Sequence, residues 1–159
     1  MIDTAAKVRS LPEAITWRAR QAGPVVFTNG VFDLVHPGHV ELLEAARREG
    51  NALVVGLNSD ASVRRLRKGS DRPLTGESAR ARVLAGFAAV DCVVLFDQET
   101  PLELIQRLSP DVLVKGADYP RERIVGGDWV ESKGGRVVRV PLVSGFSTSS
   151  ILERLRAST

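Results

Sequence analysis

Short, continuous apolar runs alternate along this chain with longer stretches whose apolar positions return every three or four residues. The runs at 24–28, 52–57, 92–96, 111–115 and 136–140 are rich in β-branched residues and predict five strands. Between and after them, the patterning predicts helices over 37–49, 60–66, 77–90, 100–108 and 147–156. End signals sharpen several of these. Pro37 suits the first position of a helix, and Gly50 the position past its end. Asp60 predicts the cap of the second helix; Thr100 and Pro101 predict the cap and first turn of the fourth. The turn residues at 70–76 predict a loop. Residues 1–22 predict an added N-terminal helix, with Leu11, Ile15 and Trp17 packing on the body.

Strands that are apolar on both faces, with helices between them, imply a parallel sheet covered on both sides. The expected fold is α/β: a Rossmann-like, doubly wound sheet of about five parallel strands with helices on both faces, in one domain over 1–159. Such sheets bind ligands beyond the carboxyl ends of the strands, where strand order reverses. The first strand runs into Thr28-Asn29-Gly30, and both histidines of the chain follow closely. Chemistry is therefore expected at this edge.

Composition removes other classes. With 43% hydrophobic and 26% charged residues, the 159-residue chain is not disordered, collagen-like or a coiled coil. The apolar stretch 83–90 is far too short to span a bilayer, and the first residues lack the apolar core of a secretory signal. A cytoplasmic protein without membrane contact is expected. Cys92 stands alone, which excludes an intrachain disulfide and a Cys-based zinc site; it is expected as a small buried core residue. The 22 basic and 19 acidic residues leave a net charge of +3, too mild to argue for nucleic acid. No aromatic residues interleave the basic run around Arg64, so no nucleic-acid partner is expected. The basic residues are mostly arginine, whose planar fork suits phosphate.

The distinctive segment is Thr28-Asn29-Gly30-Val31-Phe32-Asp33-Leu34-Val35-His36-Pro37-Gly38-His39. Gly38 lets a ligand approach the backbone, while free N–H groups of the first helical turn favour an anion. His36 and His39, three apart, can face that same anion and suit a phosphate gaining charge during reaction. Two alternatives stand beside this one. The pair could bind a metal, although no cysteine is near and a Pro-Gly turn is an unusual scaffold. They could also be satisfied core or surface histidines. A second anion site is suggested by Ser147-Thr148-Ser149-Ser150 at the last helix start, although Ser147 could be only an N-cap.

His36-Pro37-Gly38-His39 after Phe32-Asp33 resembles the HxGH signature of the nucleotidylyltransferase superfamily, and Gly145-Phe146-Ser147-Thr148-Ser149-Ser150-Ile151 resembles its second signature. Asn58-Ser59-Asp60, Arg72-Pro73, Ala89-Val90-Asp91, Thr100-Pro101 and Lys115-Gly116-Ala117-Asp118-Tyr119 narrow the likeness. From about Val25 to Leu155 the chain is similar to the adenylyltransferase domain of bacterial ADP-heptose synthases. That resemblance implies transfer of AMP from ATP to D-glycero-β-D-manno-heptose 1-phosphate, giving ADP-heptose and pyrophosphate. It also implies Mg2+ accompanying ATP, a homodimer, and a sugar kinase in a separate protein supplying the acceptor. A cytidylyltransferase acting on a polyol phosphate or phosphonate, and a non-catalytic nucleotide-binding module, are the alternatives. Family members commonly carry an acidic residue where this chain has Ser78, and related cytidylyltransferases carry an arginine near Ser144-Gly145-Phe146 that is absent here.

The acceptor phosphate is already anionic, so the chemistry needs positioning and charge stabilisation rather than a general base. His36 and His39 are expected on the α-phosphate, with Arg80 and Lys68 as further phosphate contacts. Thr28, Asn29, Gly30, Phe32, Asp33, Gly38, Ser147, Thr148, Ser149 and Ser150 are expected to bind nucleotide. Asp33 is also a candidate for fixing the geometry of the first loop. Lys115 and Asp118 are expected to meet the sugar phosphate, with no protein-built metal site.

Overall fold

The computed structural model describes residues 2–66 and 71–159. Strands β1 (Val25–Gly30), β2 (Ala52–Asn58), β3 (Cys92–Phe96), β4 (Val112–Gly116) and β5 (Arg136–Val140) form one parallel sheet in the order β3-β2-β1-β4-β5. Side chains alternate across it. Val25, Phe27, Val54 and Leu113 face one layer, whereas Val26, Leu53, Val55 and Val112 face the other. On the first side lie α1 (Leu11–Ala19), α5 (Leu102–Leu108) and α6 (Gly127–Ser132), contributing Ala14, Ile105 and Val130. On the second lie α2 (Pro37–Arg48) and α4 (Glu77–Ala85), contributing Leu43, Ala46 and Leu84. Covering both faces is why the strands read as unbroken apolar runs. Short α3 (Asp60–Arg65) follows β2, and α7 (Thr148–Ala157) follows β5. Cys92 is fully buried on β3, and burial pushes its thiol up to about 11. Among the described residues, no helix is long and apolar enough to cross a membrane.

Tertiary contacts moved several element ends. The cap of α3 is Ser59, whose hydroxyl accepts the Ser62 N–H at 3.1 Å; Asp60 is drawn instead to Arg80. Helix α4 stops at Ala85 rather than continuing to 90, because the chain turns so that Phe87 and Val90 can pack on the core. Helix α5 begins at Leu102 with Pro101 as its N-cap, so Thr100 does not cap it. The N-terminal extension is a 3₁₀ turn (Thr4–Lys7) followed by α1, not one helix. Ser10 and Glu13 close a capping box at the start of α1. Leu11, Ile15 and Trp17 do pack on the core, and Val8 bridges to Val93 between the two pieces. Helix α6 and the 3₁₀ turn Arg121–Arg123 had no sequence-based expectation.

One feature of the register positions the site. Strand β1 pairs with β2 along its whole length, from Val25↔Ala52 to Gly30↔Leu57. With β4 it pairs only at Val26↔Val112 and Phe27↔Leu113, although β1 runs on to Gly30 and β4 to Gly116. The two strands part at their carboxyl ends, at the point where the winding of the sheet reverses.

Leu43 is completely buried where α2 meets the sheet. Leu43→Ala is expected to lower unfolding free energy by ~2–5 kcal/mol, read from the midpoint of urea denaturation.

Candidate active site

The parting of β1 and β4 opens a cleft of about 600 Å³. The Asn29 side-chain carbonyl, on a residue lining the cleft, is buried without a hydrogen-bond partner, as is the hydroxyl of Thr28 just before it. Lys115 spans the gap, its Nζ donating to the Asn29 carbonyl at 3.2 Å and lying 4.8 Å from the Tyr119 ring centre. Gly30 lets the Phe32 ring sit close: a Cβ there would lie 3.0 Å from that ring, which would have to shift. Phe32 itself has φ 49°, a left-handed conformation uncommon for an aromatic residue. Its buried ring lies 5.1 Å from that of His39, so the strained turn supports the imidazole.

The histidines form a stacked pair with ring centres 3.9 Å apart. His36 is the N-cap of α2, its Nδ1 accepting the Gly38 N–H at 3.1 Å. His39 Nδ1 accepts the His36 N–H at 3.3 Å. With both Nδ1 atoms accepting, each neutral ring carries its proton on Nε2, which is left as the remaining donor. Burial lowers the proton affinity of His36, and burial together with the neighbouring His36 lowers that of His39 to about 4. Both are therefore neutral donors at pH 7. The free N–H groups expected in this turn are largely consumed: Gly38 donates to His36, and the His39 and Val40 N–H groups point to the His36 carbonyl. The donors left over in this turn are the Nε2–H groups of the two imidazoles.

The start of α7 faces them. Phe146 lies 6.4 Å from His36 between ring centres, and the Thr148 hydroxyl donates to the Leu34 carbonyl at 3.4 Å. Two helix beginnings distant in sequence thus border one cleft. The hydroxyls divide their tasks. Ser147 and Ser150 form a capping box, and Ser150 does not line the cleft. Ser149 lines it, while the Thr148 and Ser149 N–H groups lie in the first turn, where no intrahelical acceptor exists.

Arg80 has different work from that expected, while Asp33 fixes backbone geometry, one of the two roles expected of it. The Asp33 carboxylate accepts the N–H groups of Leu74 and Thr75 and the Thr75 hydroxyl, with Arg72 at 3.4 Å. Burial acts to raise its proton affinity, but those bonds and Arg72 outweigh it and hold the carboxyl below its ordinary range. Arg80 is not a free phosphate contact. Only 2% exposed, its guanidinium donates to the carbonyls of Thr75, Val31 and Asn58 and to Asp60. It ties the histidine loop, the end of β2 and the 72–75 segment together. Glu77 accepts the Asp60 N–H at 2.7 Å. Lys68 lies outside the described residues. Asp118 lines the cleft, its carboxylate folded over Gly116, where a Cβ would come within 2.6 Å of it. Arg72 joins Lys115 as a cation of the cleft wall. Its place in Arg72-Pro73 was visible in the sequence, but its proximity to Asp33 was not.

Among the described residues no group of three His, Cys, Asp or Glu could hold a metal ion. The sequence profile of the cytidylyltransferase-like family matches residues 27–152, most of the chain and both helix starts. The chain belongs to the cytidylyltransferase-like family, whose members are nucleotidyltransferases. This cytidylyltransferase-like chain is 62% identical over 141 residues to the bifunctional protein HldE of Magnetococcus marinus, covering 89% of this chain and 28% of that protein. It is 54% identical over 160 residues to HldE of Geotalea uraniireducens, covering 99% of this chain and 32% of that one. The chain thus spans about a third or less of the length of these relatives. The fold also matches two solved structures. One is a lipopolysaccharide core biosynthesis protein from Thermoplasma volcanium (TM-score 0.64, 24% identity, 77% of this chain, 98% of that one). The other is pantoate-beta-alanine ligase from Francisella tularensis (TM-score 0.63, 13% identity, 94% and 76%).

Two outcomes follow for this cytidylyltransferase-like site. In the ligand-free protein, His39 has a folded value near 4 against an ordinary 6.5. Between those values the unfolded chain binds more protons, so stability falls as pH drops from about 6.5 to about 4. His39→Asn is expected to flatten that slope in urea titrations run across this range. Arg80→Met strands three carbonyls, that of Asn58 buried, and Asp60, and is expected to cost about 3–5 kcal/mol in the same assay at pH 7.

Proposed function

We propose that the chain transfers AMP from ATP to D-glycero-β-D-manno-heptose 1-phosphate, giving ADP-heptose and pyrophosphate. The observation that carries this reading is the facing of the imidazole pair and the α7 start across one cleft. The likeness to HldE proteins over nearly the whole chain supports it, as do the motifs shared with ADP-heptose synthases.

The chemistry follows from the groups at hand. An anionic oxygen of the sugar phosphate attacks the α-phosphorus of ATP. The bond from that phosphorus to the oxygen bridging to the β-phosphate breaks, and pyrophosphate leaves with the electron pair. No proton need be removed from the nucleophile, consistent with histidines held neutral. The Nε2–H groups of His36 and His39 would donate to the α-phosphate oxygens as charge grows there. The first-turn N–H groups of α7 and the Ser149 hydroxyl would hold the β,γ end. Lys115 and Arg72 would offset repulsion between the two anionic substrates. Magnesium would arrive bound to the triphosphate as part of the substrate, since the described residues offer no cage for it. ATP as donor makes the cytoplasm the proposed site of action.

The second reading, a cytidylyltransferase acting on a polyol phosphate or phosphonate, draws on the family's own description. Pyrophosphate release measured with each of the four nucleoside triphosphates and heptose 1-phosphate separates the two. Turnover with ATP is expected; turnover with CTP alone would defeat the heptose reading. Replacing His39 by alanine is expected to lower kcat by on the order of a hundredfold with the circular dichroism spectrum unchanged.

A further inference from the structure

A second, smaller pocket adjoins the cleft. It measures about 190 Å³ and shares Asn29, Gly30, Val31, Lys115 and Tyr119 with the larger one. Lys115 and Tyr119 therefore stand as the partition between two rooms. Beyond that partition the lining is mostly apolar, with Leu66, Pro101 and Val125, and carries four polar residues: Glu99, Thr100, Arg123 and Asn58, whose amide donates to the Ser62 hydroxyl. Among the described residues, neither the Glu99 carboxylate nor the Arg123 guanidinium is engaged by another side chain. Of these four, Asn58 and Thr100 belong to the motifs that carry the family likeness, and Glu99 and Arg123 do not.

We infer that this pocket receives the sugar of the acceptor, with Glu99 and Arg123 as residues that set specificity for a polyhydroxylated phosphate. This deepens the proposed function and rests on it. Three arguments carry it. A transfer between two anions needs two compartments meeting at one point, and the shared wall provides that point with an ammonium group on it. The smaller pocket has about 190 Å³ against about 600 Å³ for the cleft, which matches the smaller of the two substrates to it. Lastly, an unpaired carboxylate and a planar five-donor fork suit vicinal hydroxyls, to which charge-assisted hydrogen bonds are the stronger kind. A sugar seated here directs its phosphate across Lys115 toward the imidazole pair.

The test compares Glu99→Gln and Arg123→Ala with the unaltered protein in steady-state assays varying ATP and heptose 1-phosphate separately. Each variant is expected to raise KM for the sugar phosphate about tenfold, a loss of roughly 1.4 kcal/mol of binding. The KM for ATP should stay within twofold. Both side chains are exposed, so the fold should persist. Unchanged KM for the sugar phosphate in both variants overturns the inference. If the unaltered protein does not turn over heptose 1-phosphate, the proposed function fails, and calorimetric titration of the same sugar phosphate then decides the pocket. Binding by the unaltered protein that weakens in the variants upholds it. Equal binding, or none, overturns it.

Discussion

The site exists because two neighbouring strands stop pairing. Strand β1 keeps its ladder with β2 to Gly30 but leaves β4 after Phe27. From there the strand end carries polar groups that the sheet does not satisfy: the Asn29 main-chain carbonyl is taken by Lys115, while the Thr28 hydroxyl and the Asn29 side-chain carbonyl are buried without a partner. Buried polar groups without partners are costly, so a fold retains them where something else completes them. Everything functional is arranged around that gap: the histidine turn on the β1 side, Lys115 and Tyr119 on the β4 side, and α7 above.

The histidine turn is built from local constraint rather than from free backbone. A left-handed Phe32, a glycine that lets the Phe32 ring sit close, and reciprocal bonds between His36 and His39 fix the rings before any substrate arrives. Preorganised donors need little rearrangement when charge develops. Asp33 and Arg80 extend the same rigidity outward. One clasps the 74–75 backbone, while the other binds carbonyls from three separate segments. Arg80 was expected on phosphate and Asp33 on the nucleotide or fixing the first loop. Each is a brace, because its donors or acceptors are already spent.

The strands were legible because a sheet covered on both faces demands apolar residues at successive positions, as in Ala52-Leu53-Val54-Val55. The histidine pair was legible because its spacing places both rings on one helix start. Less was readable where a distant partner decides the outcome. Arg80 has the sequence of a surface helix charge, yet carbonyls from Val31 and Asn58 bury it. Thr100 has the sequence of a cap, yet the chain enters α5 one residue later. Helix α6 begins at Gly126-Gly127, residues that weaken any local helical signal, and is held by Val130 in the core.

The N-terminal segment has a consequence for colloidal behaviour. Strand β3 forms one border of the sheet, and there Val8 pairs with Val93 while the Arg9 N–H donates to the Val93 carbonyl at 2.9 Å. At the opposite border, β5 carries Arg136 and Arg139 with exposed side chains. One border is thus roofed by the chain's own backbone and the other is studded with positive charge. Both devices discourage another copy from extending the ladder, so the sheet can remain open at its ends without seeding fibrils.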